Sequence, residues 1–87
     1  MPVAATAAMS KPQKEIFESD LYGTCRADYY SQKSYIRCKA ANGKWTLVVG
    51  WSNGNHWQIV KALVPHVRSG KTKEEILQER AKLIGAI

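Results

Sequence analysis

His56 and His66 are the chain's two histidines, and with Tyr35, Arg37 and Lys39 they form the one set able to cleave an RNA phosphodiester. That reaction needs a base, an acid and cations to stabilise the phosphorane. No feature of the sequence brings either histidine beside the other three, and an ordinary helix position is the simpler role for each. Together with Cys25 and Cys38 the histidines number four metal ligands, but their spacing is unlike any regular finger, so no metal and no cofactor is assigned. Carboxylate catalysis has no pair to work with, because the acids cluster near the two ends and Asp28 stands alone in the middle. A Gly-x-Ser-x-Gly elbow, a phosphate-binding Gly-rich loop and HExxH are all missing. The expectation is a non-enzymatic protein, with a small ribonuclease as the remaining catalytic reading.

Binding has a stronger basis. The chain carries 13 Lys+Arg against 7 Asp+Glu, a formal charge of +6 in 87 residues. The excess is concentrated: within residues 21–71, Arg26, Lys33, Arg37, Lys39, Lys44, Lys61, Arg68 and Lys71 face only Asp28. A surface for phosphates or carboxylates requires such concentration, whereas a charge kept only for solubility is usually spread. Tyr22, Tyr30 and Tyr35 lie among these cations and offer flat rings on which bases can stack.

The elements that position these residues follow from turns and alternation. Asn42-Gly43 between two strand-like runs predicts a two-residue type I′ hairpin that pairs Ala41 with Lys44, Cys38 with Leu47 and Ile36 with Val49. Upstream, residues 21–30 read as a strand joined to Tyr35 by the polar loop Ser31–Ser34. Three strands in an antiparallel meander are expected, over 21–30, 35–41 and 44–51. Alternation then sorts Leu21, Gly23, Cys25, Ala27, Tyr29, Ile36, Cys38, Ala40, Trp45, Leu47, Val49 and Trp51 onto an uncharged face. Tyr22, Arg26, Tyr30, Tyr35, Arg37, Lys39 and Lys44 fall on the other, basic and aromatic face. Cys25 and Cys38 share the apolar face, where a disulfide is geometrically possible but diagonal in this register, and reduced half-buried thiols are the expected state.

After Trp51, helical spacing of Trp57, Val60, Leu63, Val64 and Val67 outweighs a fourth strand over 56–64. Asn55 with Gln58 resembles a capping box, and Pro65 is expected to end or kink the helix near Val64. Thr72-Lys73-Glu74-Glu75 is a full capping box for a second helix to Ile84, with Ile76, Leu77, Leu83 and Ile84 inward and Arg80 at the edge. Pro12–Glu18 reads as one short N-terminal helix anchored by Ile16 and Phe17. The predicted fold is therefore α+β: a three-stranded antiparallel meander packed on one face by two C-terminal helices. Residues 1–10 read as a disordered arm and 11–87 as a single domain.

The order helix, three strands, helix is similar to double-stranded-RNA-binding domains, and three strands then a helix to integrase-type sheet readers of DNA. These are similarities of topology, and no functional residue carries over from them. The start of the chain lacks the basic and apolar regions of a secretory signal and no segment reaches the length of a membrane span, so a cytoplasmic monomer or homodimer is expected. The expected partner is nucleic acid, DNA or RNA, bound through Tyr22, Arg26, Tyr30, Tyr35, Arg37, Lys39 and Lys44. An inhibitor or adaptor docking on an acidic protein surface is the alternative from a different class.

Overall fold

The computed structural model describes residues 12–86, so the arm expected over residues 1–10 lies outside the described residues. Four antiparallel strands run in sequence order, β1 (Lys14–Ser19), β2 (Gly23–Tyr29), β3 (Ser34–Lys39) and β4 (Trp45–Trp51), followed by α1 (His56–Arg68) and α2 (Lys73–Gly85). The α+β class with two C-terminal helices holds, but the sheet has four strands where three were expected, and the fourth replaces the short N-terminal helix. Residues 14–19 alternate with period two, Phe17 and Ser19 buried and Lys14, Ile16 and Glu18 exposed, and they pair with β2 from Lys14 opposite Asp28 to Ser19 opposite Gly23. With two adjacent apolar residues, Ile16 and Phe17, the alternation is easily missed.

The Asn42-Gly43 hairpin forms with a different loop. Gly43 has φ +85° while Asn42 keeps a negative φ, which excludes type I′. The Gly43 N–H donates to the Ala40 carbonyl at 2.9 Å and the Ala40 N–H to the Lys44 carbonyl at 2.8 Å, giving a three-residue loop that ends in a left-handed glycine. The Asn42 Oδ1 accepts from the Lys44 N–H at 3.0 Å and holds it. Pairing near the turn therefore slips by one, to Lys39 opposite Trp45 and Arg37 opposite Leu47, until an irregularity after Ile36 restores the expected pair of Ile36 with Val49. The slip has a large consequence. It turns Trp45 and Leu47 out of the expected apolar face, and at the bulge Val48 and Val49 are buried in succession.

The core lies between the sheet and the helices. Phe17, Cys25, Ala27, Tyr29, Ile36 and Val49 from the sheet meet Ile59, Val60, Leu63 and Val67 of α1 and Ile76 of α2. Cys25 pairs directly with Cys38, and the two are joined by a disulfide beneath the helices, in place of the expected diagonal and reduced thiols. Helix α1 runs through Pro65 to Arg68 without ending near Val64. Pro65 is on the exposed side, where the carbonyl one turn earlier loses its bond at least cost. Asn55 makes no side-chain cap, against expectation, whereas the Thr72–Glu75 box forms in full: the Thr72 Oγ1 accepts from the Glu75 N–H and Glu75 Oε1 from the Thr72 N–H. Leu77 is exposed rather than inward, while Arg80 lies at the edge as expected, over Trp51 and donating to the Gly50 carbonyl at 2.8 Å.

Candidate functional site

The face of the sheet away from the helices carries its side chains in rows across the strands. Ile16, Arg26, Arg37 and Leu47 form the central row. Lys14, Asp28, Tyr35 and Gly50 form the row on one side, and Lys39 with Trp45 lies on the other. Gly50 opposite Tyr35 is a packing requirement, since a Cβ there would stand 3.1 Å from the Tyr35 Cβ.

Asp28 organises the centre. Its Oδ2 accepts from Arg26 Nε at 2.9 Å and from Arg37 Nη2 at 3.3 Å, and the two arginines cover it. So held, Arg26 places its guanidinium 5.4 Å from the Trp45 ring and Arg37 places its own 5.0 Å from the Tyr35 ring. Lys33 lies over Tyr35 at 5.8 Å, and Tyr30 packs on the same ring with centroids 5.6 Å apart. Contact with Tyr35 and the negative charge of Asp28 push the Tyr30 phenol above its ordinary value, so it stays neutral and able to donate at physiological pH. The result is a track across the sheet of ring, cation, carboxylate, cation and ring. Cation–π contacts of this kind are worth about 0.5–1 kcal/mol where exposed.

Five of the seven predicted site residues, Arg26, Tyr30, Tyr35, Arg37 and Lys39, come together at this face. Two do not. Tyr22 precedes β2 in the β1–β2 turn, packs against the core and donates its hydroxyl to the Lys71 carbonyl at 2.8 Å, because the strand begins only at Gly23 with φ +76°. Lys44 falls in step with Thr46, which pairs with Cys38, so the slipped register puts it at the hairpin tip off this face. Trp45 takes the vacated place. It is 38% exposed, beside Leu47 at 55%, while Ile16 at the opposite edge of the sheet is 65% exposed. Only the loop type at Asn42-Gly43 would have disclosed Trp45 in the sequence.

The histidines stand apart from this face. His56 is buried on the helix side, its Nδ1 2.6 Å from Ser34 Oγ and its Nε2 3.2 Å from the Ser31 carbonyl. A carbonyl only accepts, so Nε2 carries a proton, and in the neutral ring Nδ1 accepts from the serine. His66 lies 3.9 Å from Glu79 between the helices. The set of His56, His66, Tyr35, Arg37 and Lys39 needed for RNA cleavage is thus divided between opposite sides of the sheet. The disulfide likewise removes Cys25 and Cys38 as thiolate ligands. An open cleft of about 810 Å³ adjoins the Tyr30 end, between Tyr30–Lys33 and Ser52–Gly54. Comparison with models of known families, with curated proteins and with solved structures gives no match.

Proposed function

We propose that the protein is a non-enzymatic module that binds nucleic acid through the helix-free face of its sheet. The observation that carries this reading is the interleaving of Trp45, Tyr35 and Tyr30 with Arg26, Arg37, Lys33 and Lys39 on one solvent-facing surface. Rings supply stacking that tolerates any base, and the cations supply attraction to phosphate. Lys33 and Lys39 form no ion pair among the described residues, so their charges are available to a ligand.

The test reverses those charges. Arg37 is a poor position for it, since a glutamate there would face Asp28. Lys33→Glu with Lys39→Glu should lower affinity for mixed DNA or RNA oligonucleotides at least tenfold and leave the thermal midpoint unchanged. Unchanged affinity would reject the proposal.

A second reading, docking on an acidic protein surface, is supported by two observations: the apolar Ile16 and Leu47 exposed within the face, and the Cys25–Cys38 disulfide. Disulfides persist in oxidising compartments, which supports such a location over the cytoplasm first expected. Among the described residues no helix is long and apolar enough to cross a membrane. A partner that stays bound after nuclease treatment would favour this reading.

A further inference from the structure

We infer that the ligand of the open face is a single strand of nucleic acid rather than a duplex, stacked on Trp45 at one end and Tyr30 at the other of the Arg26–Asp28–Arg37 bracket. This rests on the nucleic-acid reading above.

Three observations support it. The first is the spacing of the rings. Trp45 lies opposite Lys39, and Tyr35, which carries Tyr30, is four residues away on β3, about 14 Å at 3.4 Å per residue. Bases in a duplex stay stacked on one another about 3.4 Å apart. Platforms this far apart engage base planes only when the strand between them is unstacked.

The second is what lies exposed. Trp45, Tyr30, Leu47 and Ile16 are 38%, 47%, 55% and 65% exposed. A duplex presents phosphate and sugar outward and base edges in its grooves, where thymine methyls are the apolar groups, so it offers Trp45 and Tyr30 no free base face. An unpaired base has a π-face to lay on them.

The third is charge. Arg26 and Arg37 share Asp28 as counterion, so the bracket has a net charge of +1. Lys14, Lys33 and Lys39 form no ion pair among the described residues. Glu18, opposite Thr24 on the same face, takes away one charge, so about three phosphates can be neutralised, fewer than the six to ten on which salt-driven duplex binders rely, and for a single strand this gives a log–log salt slope of about −2.

The experiment uses the full chain and fluorescently labelled 15-nucleotide strands of mixed sequence, DNA and RNA, each alone and annealed to its complement, followed by anisotropy from low to moderate salt. For the backbone that binds tighter, the single strand should exceed its own duplex at least tenfold, with a slope of about −2. Trp45→Ala and Tyr30→Ala should each weaken the single strand by about tenfold, the scale of one base–aromatic stack. Tryptophan emission should fall on binding, and Trp45→Phe should abolish most of that change. The fluorescence readout keeps the test open should Trp45→Ala fold poorly. A duplex bound as tightly as the single strand, or quenching that survives in Trp45→Phe, would overturn the single-strand inference and leave nucleic-acid binding standing. If no oligonucleotide of either kind binds, both fall together.

Discussion

The two faces of the sheet use similar residues to opposite ends. On the helix side most cations are taken up by the fold, Lys73 being an exception: Lys61 pairs with Glu15 at 3.5 Å, and Lys71 and Lys82 with Glu79 at 3.6 and 3.5 Å. Partial burial acts to raise the Glu79 pKa, but Lys82, Lys71 and His66 overcome it and hold the carboxyl below its usual value. Tyrosines there are likewise committed. Burial and a 2.6 Å bond to Glu15 push the Tyr29 phenol far above its ordinary range, and Tyr22 is tied to Lys71. On the open face, Lys14, Lys33 and Lys39 have no carboxylate partner among the described residues, and Tyr30 and Trp45 remain accessible. Residue type alone therefore does not separate structural from binding positions; what separates them is which groups already have a partner.

Core truncation should break this comparison most forcefully if it is wrong. Leu63→Ala, at a fully buried position of α1, should cost about 2–5 kcal/mol in chemical denaturation. Leu47→Ala on the open face removes the same atoms from a side chain that is already largely hydrated. Equal costs at the two positions would mean that the open face is covered in solution.

Next comes the disulfide. It spans 13 residues of separation, and a loop near this length is worth about 3 kcal/mol through restriction of the unfolded chain. Cys25→Ala with Cys38→Ala, or reduction under denaturing conditions followed by refolding, should lower stability by about that amount. Binding by the folded fraction should not change, because the bond lies beneath the helices. A loss of affinity at unchanged folded fraction would show that the two faces are coupled through the β2–β3 pair.

Where the sequence was legible, a local signal and the global pattern agreed. Thr72 and Glu75 cap α2 as their spacing implies, Ile36 meets Val49, and Cys25 and Cys38 share the covered face. The failures are places where two local solutions are nearly equal in energy. Asn-Gly suits both a two-residue and a three-residue loop, and the choice turns Trp45 and Leu47 from one face to the other. In residues 14–19 the inward positions are Glu15, Phe17 and Ser19, two of them polar because they bond the Tyr29 hydroxyl and the Val67 carbonyl, so hydrophobicity carries no period there. Asp28 was visible as the lone acid in a basic segment. Its role as a shared counterion required the pairing of Arg26 with Arg37.

A smaller effect is expected at the α2 cap, which belongs wholly to the helix side. Thr72→Ala should cost about 1 kcal/mol. The bonds to the Thr72 backbone and side chain lower the Glu75 pKa. A carboxyl lowered in the folded state adds stability above its unfolded pKa, and that part is lost as pH falls through the folded value. The variant keeps the backbone bond, the larger cause, and loses the side-chain one, so it should lose only slightly less stability than the wild type on acidification below about pH 4.5, a difference readable in paired denaturation curves. Ligand affinity should be unaffected.

The smallest change in stability is expected at Asp28, where stability and binding should move in opposite directions. Asp28→Asn removes the charge shared by Arg26 and Arg37 but keeps one oxygen, and since both arginines donate to the same Oδ2 an amide oxygen there can still accept from both. Because both arginine side chains are more than a quarter exposed and the amide fills the same place as the 7%-exposed carboxylate, solvent screens the lost charge and the cost should stay below about 1 kcal/mol. The face meanwhile gains one positive charge. If phosphate is what it meets, affinity should rise and the salt slope steepen by about 0.7 for a single strand. If the carboxylate matters instead because it aims the arginines at the Trp45 and Tyr35 rings, affinity should fall with the slope unchanged. Titration at several salt concentrations separates the two outcomes and assigns Asp28 as either a competitor for the cations or the brace that positions them.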